Sequence, residues 1–434
     1  MLTRREQLKV LLVNYYYKPM VDAHAYRWAQ LAEYWAARGF EVDVICSKVS
    51  GAPSAERVNN VNVTRVGFFQ AKKIQSEQNL NSQSAEKYTS VLAVLKKNAR
   101  LLYRKIYWPD GLWHWSFGVA NELFKRRSVP YDLVVSYSPS FAAHLSVLFF
   151  KKLCRRQFHW VADYGDPFST SMSMPNNNIF LYRRLNHYVE SSILNSASKA
   201  CFTSQHTYDD YSSTFGVMRN AHVIPHLADI KNVYLNTKDV SDPIVTRLVF
   251  VGNFHDGIRE PFLAAAIIEK LSALLSVGNG RRIVFDIYGA SNGVDVASVC
   301  NSTIKWHGPL ERERVAEVIG GADFLVNIEN TNCSMIPSKI VEYIATGKPI
   351  IDIASARADV SALIARYAIE GHAVIMTAED FGRLDCLENF IEKYKGEGKI
   401  CFEIVSGFLK DYGIEAVSEK YLSDLRGAGI RVCA

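Results

Sequence analysis

Leu8–Cys46 reads LKVLLVNYYYKPMVDAHAYRWAQLAEYWAARGFEVDVIC, and this stretch decides the fold. It opens on a short apolar run with β-branched residues, Leu8–Val13, the pattern of a buried strand. A loop follows, Asn14–Ala23, containing Pro19 and Asp22. Ala25, Trp28, Ala29, Ala32, Trp35 and Ala36 then recur at helical spacing. Gly39 is placed to end that helix, and Glu41–Cys46 is the next strand. Strand, helix and strand in so short a span make a parallel βαβ unit.

Working outward, the unit recurs. Asp132–Tyr137 reads as a strand, followed by a helical stretch, Ser140–Cys154. His159–Asp163, Lys199–Ser204 and His222–Pro225 are further strand candidates. After a cluster of Asp, Ser and Pro at Thr237–Thr246, a second series begins: Leu248–Gly252, Ile283–Tyr288, Phe324–Ile328, Pro349–Ile353 and Ala373–Met376. The fold class is therefore α/β, with two successive Rossmann-like domains expected to face a central cleft at the carboxyl ends of their strands. The expected division is 1–238, 239–405 and a C-terminal helical piece, 406–434. Gln70–Ser90, polar throughout, reads as a mobile loop.

The chain has 434 residues, 48% apolar and 22% charged, a globular composition that excludes a disordered or collagen-like protein. No apolar run approaches the roughly 20 residues of a spanning helix. Met1–Tyr17 is a poor signal peptide, so a cytoplasmic setting is expected. The eight cysteines are scattered singly without C-x-x-C spacing, against a zinc site or a disulfide framework. Nothing resembles an Asp-x-Asp metal site.

Charge is uneven. Residues 1–230 carry 28 Lys/Arg and 17 Asp/Glu, whereas 231–434 carry 22 and 27, so the first part is net +11 and the second −5. A basic half suits an anionic substrate or surface. Lys96, Lys97, Arg100, Arg104, Lys105, Lys125, Arg126 and Arg127 lie among Tyr103, Tyr107, Trp108, Trp113 and Trp115, a mixture that fits peripheral contact with an anionic membrane. It also fits a solvated helical face over core aromatics. No aromatic–basic β motif or recognition helix is present, so no nucleic acid is expected as a partner.

The strongest chemical signal is Ile336–Ile350. Pro337 suits the first turn of a helix, and Gly347 ends it. A helix start at a strand's carboxyl end favours an anion, and Lys339 adds a full positive charge there. Glu342, on the same face, can accept hydrogen bonds from a vicinal diol such as ribose. Phosphate binder beside diol binder is what a nucleotide needs. The same two residues would also make an ordinary i,i+3 ion pair.

Pro337-Ser338-Lys339, Glu342-Tyr343 and Gly347-Lys348-Pro349 resemble the donor helix of the family 4 glycosyltransferases, which have the two-domain GT-B fold. Val249–Asn253, Phe285–Gly289, His307–Leu310 and Ala322–Val326 resemble that family's motifs in order. So do Arg38–Val42, Pro109-Asp110 with Trp115, and Asp163–Phe168. The resemblance implies a retaining glycosyltransferase that takes a nucleotide-diphosphate sugar and passes the sugar to a hydroxyl acceptor. That acceptor would be a glycan or lipid-linked carrier in bacterial surface polysaccharide assembly, with the enzyme at the inner face of the cytoplasmic membrane. It implies no bound metal, the leaving phosphate helping to deprotonate the acceptor.

Carried over position by position, the resemblance puts Arg259 and Lys339 on the donor diphosphate and Glu342 on the ribose. Gly252 and Gly289 would let backbone approach the ligand closely, Gly289 being equally suited to a turn alone, and Asn253 and Ser338 join the donor-binding set. Asp163 and Asp166, at the end of a first-domain strand, are expected to face the acceptor. His24 and Arg27 lie at the first loop, His24 in a structural role. Ser334 stands where the family carries the first of two glutamates, which leaves Glu329 and Asn330 as candidates for the sugar. A nucleotide-sugar 2-epimerase of the same fold, or a degenerate GT-B protein that binds without transfer, are the alternatives.

Overall fold

The structure is a computed structural model. It describes residues 7–71, 103, 106–154, 157–172, 175–237, 242, 244–331 and 339–427. They form two compact units. Of the described residues, one comprises those up to Pro225 together with the last helix, from Ile414; the other comprises those from His226 to Gly413.

In the first unit the elements are β1 (Lys9–Val13), α1 (Ala23–Ala37), β2 (Glu41–Val49), β3 (Ala55–Val58), β4 (Val61–Ala71), α2 (Trp115–Lys125), β5 (Leu133–Ser138), α3 (Phe141–Cys154), β6 (His159–Tyr164), α4 (Ile179–Ser196), β7 (Lys199–Phe202), α5 (Gln205–Phe215) and β8 (Ala221–Val223). The sheet order is β3-β4-β2-β1-β5-β6-β7-β8, parallel except for the β3–β4 hairpin. Val10 of β1 pairs with Val42 on one side and Leu133 on the other, so the opening βαβ unit sits at the sheet centre. Asp22 caps α1 by accepting the His24 N–H at 2.8 Å. The α1 face carrying Ala25, Trp28, Ala32 and Trp35 is fully buried, each large side chain contributing roughly 1.5–3 kcal/mol.

The second unit holds α6 (Ile230–Asn236), β9 (Val245–Val251), α7 (Phe262–Asn279), β10 (Arg282–Tyr288), β11 (Ile304–Trp306), α8 (Arg312–Gly320), β12 (Phe324–Ile328), α9 (Lys339–Ala345), β13 (Ile350–Ile353), α10 (Ala362–Ile369), β14 (Ala373–Met376), α11 (Asp385–Glu397) and α12 (Phe402–Phe408). Its all-parallel sheet runs β11-β10-β9-β12-β13-β14. The chain then enters α13 (Ile414–Gly427), which packs in the first unit. Trp35 Nε1 donates to Ser418 Oγ at 2.8 Å, and buried Lys199 donates to the Lys420 carbonyl at 2.7 Å.

The structure adds three strands to the sequence reading. The β3–β4 hairpin turns through Asn59 and Asn60, both at positive φ, the primed-turn geometry that Asn tolerates. Short β11 has too few residues for a period. Of the expected loop at Gln70–Ser90, Gln70 and Ala71 end β4 and the rest lies outside the described residues. The passage between units falls at Pro225–His226, ahead of the expected 238/239, because α6 packs on α9 and α12 of the second unit. The return falls at Gly413–Ile414, after the expected 405/406.

Candidate functional site

β9 is flanked by β10 on one side and β12 on the other. The winding direction therefore reverses between β9 and β12, the place where open α/β sheets bind ligands. β9 leads into Gly252 and Asn253. The Gly252 N–H donates to the Tyr288 carbonyl at 2.9 Å, and Asn253 Oδ1 accepts the Ala290 N–H at 3.0 Å. A Cβ on Gly289, which has φ +144°, would fall 1.8 Å from the Gly252 carbonyl oxygen. Gly289 is thus required by backbone packing against the Gly252 loop.

Arg259 closes a tight hairpin. Its N–H donates to the His255 carbonyl at 2.8 Å, and the His255 N–H returns to the Arg259 carbonyl at 3.0 Å. Its Nη1 lies 3.4 Å from the Asn253 carbonyl oxygen. The Thr331 N–H donates to the Ile258 carbonyl at 2.7 Å, which fixes the hairpin to the chain leaving β12.

α9 begins at Lys339, whose Nζ donates to Glu342 Oε2 at 3.0 Å; both side chains are partly exposed. Tyr343 is buried, and its hydroxyl accepts the Val251 N–H at 2.8 Å. Burial pushes that hydroxyl's pKa up, with the Glu342 charge adding to the rise and Arg259 opposing it. Gly347 ends α9 at φ +74°, and a Cβ there would lie 2.8 Å from the Ile400 carbonyl. Pro337 and Ser338, with Ser334, lie outside the described residues.

Beside this loop is a cavity of about 250 Å³, lined among others by Ile258, Glu260, Phe262, Glu329, Thr331 and Ser355. The first turn of the 18-residue α7 forms one wall. Glu329 is buried, and its Oε1 accepts the Ser361 N–H at 3.0 Å. Burial raises its pKa, partly offset by Ser361 and by Arg259. Asp352 is fully buried behind it, held by Asn327 Nδ2 at 2.6 Å. Burial first, and then the Glu329 charge, raise the Asp352 pKa well above the carboxylate range. Asn327 and Asp352 escape sequence reading; their signal is a polar residue inside each of two apolar runs, Phe324–Ile328 and Ile350–Ile353.

In the first unit, His24 Nδ1 and the Tyr137 hydroxyl are 2.7 Å apart. Asp166 is partly exposed and lies in the field of His24 and Asp22. Burial raises its pKa, His24 opposing. Asp163 needs correction. It is 0% exposed, accepts a hydrogen bond from the Tyr421 hydroxyl, and lies 3.8 Å from Arg27 Nη2. α13 covers the end of β6 there, so this carboxylate is buried against Tyr421 and Arg27 and does not face solvent. Arg27 is buried too; Nη1 donates to the Pro225 carbonyl and Nη2 to the Tyr421 hydroxyl, both at 2.8 Å.

The basic and aromatic run is divided. Residues 87–102, 104 and 105 lie outside the described residues. Trp115 is buried. Arg126 is committed to Asp43 at 3.0 Å, Glu122 at 3.1 Å and Thr64 at 2.8 Å. Among the described residues no helix is long and apolar enough to cross a membrane, and no group of three or more His, Cys, Asp or Glu side chains is set to hold a metal ion.

Comparison with known proteins places this geometry. Residues 25–232 match the family model of Glycosyltransferase Family 4. No curated protein sequence matches. Among solved structures, the chain is similar to sucrose-phosphate synthase from Thermosynechococcus elongatus, with TM-score 0.63, 15% identity, and 98% of this chain and 99% of that one covered. It is similar to HepE from Anabaena in complex with UDP-glucose, with TM-score 0.55, 14% identity, and 97% and 100% covered. A third is a trehalose-6-phosphate synthase, the subject of work on glycosyl transfer with retention, with TM-score 0.60, 12% identity, and 96% and 99% covered. Residues 25–232 are thus similar to a Glycosyltransferase Family 4 domain, and the chain as a whole has the GT-B fold.

Proposed function

We propose that this protein is a retaining glycosyltransferase that moves a sugar from a nucleotide-diphosphate donor to a hydroxyl acceptor. The observation that carries the reading is that the Arg259 hairpin, with a cavity beside it, follows β9 at the sheet's switch point, and that the helix opening on the Lys339–Glu342 pair is tied to the end of β9 through Tyr343. Two cations suit a diphosphate, and a carboxylate suits ribose hydroxyls. As the bond from the anomeric carbon to the diphosphate oxygen breaks, Arg259 and Lys339 stabilise the growing negative charge. The acceptor oxygen bonds to the same carbon on the same face, and its proton passes to the leaving phosphate. Arg and Lys supply the charge compensation, so no metal is needed. Retention is supported by the solved relative whose transfer proceeds with retention, and the donor class by HepE holding UDP-glucose.

Glu329 and Asn330, at the end of β12, take the sugar hydroxyls where Ser334 replaces a glutamate. Asp166, beside His24, faces the acceptor. The acceptor is a glycan or a lipid-linked carrier of bacterial surface polysaccharide, used at the inner face of the cytoplasmic membrane.

Calorimetry with a panel of nucleoside diphosphates and sugar nucleotides tests the donor site. One UDP or GDP species should bind wild type and lose affinity in Lys339→Ala. Transfer assays with that donor, and the anomeric configuration of the product by NMR, then test transfer and retention. A folded protein that binds no nucleotide overturns the reading. Binding without transfer to any acceptor supports the degenerate alternative.

A further inference from the structure

The first two-thirds of α4, Ile179–Glu190, is inside out. Its buried positions include the polar Asn186 and Glu190. Asn186 is hydrogen-bonded to Asn177 and Trp108, and Glu190 to Ser169 and Tyr211. Its outward stripe is apolar: Phe180 is 103% exposed and Tyr188 73%, and Leu181 and Leu185 are exposed between them. At 100° per residue these four share one arc with Arg184, and exposed Arg183 borders it. Farther along, the same arc turns polar, at Ser191, Ser192 and Asn195. An ordinary surface helix has the opposite arrangement, so the apolar stripe calls for an occupant.

The patch extends to both sides. Lys152 Nζ donates to Ser192 Oγ at 2.8 Å and Lys151 Nζ to the Ser196 carbonyl at 2.7 Å, stitching α3 to α4. α3 presents Phe149 and Leu153 to solvent at this end. On the other side the Tyr182 hydroxyl donates to the Ile106 carbonyl at 2.5 Å, bringing in exposed Ile106.

Charge selects the occupant. No Asp or Glu occurs between Asp166 and Glu190, nor anywhere in Phe141–Cys154, whereas Arg183, Arg184, Lys151 and Lys152 do. Exposed aromatic and aliphatic side chains flanked by basic residues, without acids, match the boundary of an anionic bilayer: rings and chains enter the headgroup region and guanidinium groups meet lipid phosphates. We propose that the outward face of α4, with the adjoining end of α3, docks this protein on an anionic lipid bilayer. This rests on the membrane-side acceptor proposed above and assigns its contact to α4, away from the Trp113–Arg127 run.

The test is co-sedimentation of the full chain with vesicles of phosphatidylglycerol and phosphatidylcholine, and with phosphatidylcholine alone. Wild type should sediment with the anionic vesicles, less so at high salt, and little with the neutral ones. Phe180→Ser/Leu181→Ser and Arg183→Glu/Arg184→Glu should each lower partitioning by at least about tenfold. All are exposed positions, and nucleotide binding by calorimetry should be unchanged, which separates failure here from failure of the donor-site reading. Wild type that ignores anionic vesicles, or variants that sediment like it, overturn the proposal. So does a wild-type dimer that Phe180→Ser/Leu181→Ser converts to monomer, since the occupant would then be a second copy.

Discussion

The Tyr343 hydroxyl accepts the Val251 N–H at 2.8 Å, joining the helix that carries Lys339 and Glu342 to the strand that leads into Gly252. Two candidate donor-binding segments, 92 residues apart in sequence, thereby share one rigid joint. Tyr343→Phe leaves the Val251 N–H buried without its acceptor, at a cost of roughly 1–3 kcal/mol. Urea unfolding should show that loss, and calorimetry a weaker nucleoside diphosphate affinity. Unchanged affinity in a measurably destabilised variant would mean that the joint supports the fold alone.

Charge at the diphosphate should be separable from contact at the ribose. Arg259→Ala and Lys339→Ala should each weaken nucleoside diphosphate binding by about 1.5–3 kcal/mol, the worth of a charged hydrogen bond. The bare nucleoside should bind them as it binds wild type. Glu342→Gln should weaken nucleoside and diphosphate alike. Equal losses for nucleoside and diphosphate in Arg259→Ala would remove Arg259 from the phosphates.

Glu190 gives stability a pH dependence of known sign. It is fully buried, accepts hydrogen bonds from Ser169 and Tyr211, and holds the turn that follows Asp166. Burial raises its pKa from 4.5 to about 7, against those hydrogen bonds. Between these values the folded state binds more protons than the unfolded one, so stability falls as pH rises from about 4.5 to about 7. The drop is on the order of 3 kcal/mol. Asp110, raised by burial to about 6, acts with the same sign at lower pH. Glu190→Gln should flatten the upper part of the profile in denaturant titrations; parallel profiles for the variant and wild type would refute the assignment.

Asp163 is buried with Arg27 and Tyr421, so removing Arg27 strands a carboxylate. Arg27→Ala should destabilise the first unit by about 3–5 kcal/mol, as breaking a buried ion pair does. Tyr421→Phe should cost less, about 1–3 kcal/mol, since it removes the hydroxyl that bridges Arg27 and Asp163 but leaves the two charges facing each other. Asp163→Asn strands the buried Arg27 guanidinium and should also cost stability, but less than Arg27→Ala, because Arg27 keeps the Pro225 carbonyl and the Tyr421 hydroxyl as acceptors. The same ordering by thermal unfolding would confirm that Asp163 serves the fold.

Much of this protein was legible in its sequence. Alternation of β-branched runs with helical spacing, from Leu8–Cys46 onward, specifies parallel α/β sheets because strand and helix periods are local properties. The Lys339–Glu342 pair was legible for the same reason: three residues of helix fix their proximity, and it is found at 3.0 Å. Tertiary structure alone decided the surroundings of Asp163 and Asp166. They lie three residues apart and look alike in sequence, yet helix α13, more than 240 positions away, covers Asp163 and leaves Asp166 partly exposed. It also decided that Arg126 pairs inside the fold while Phe180 faces solvent, and that Gly289 answers to the Gly252 backbone. Burial and long-range pairing depend on which distant segment arrives at a position, and no local pattern records that.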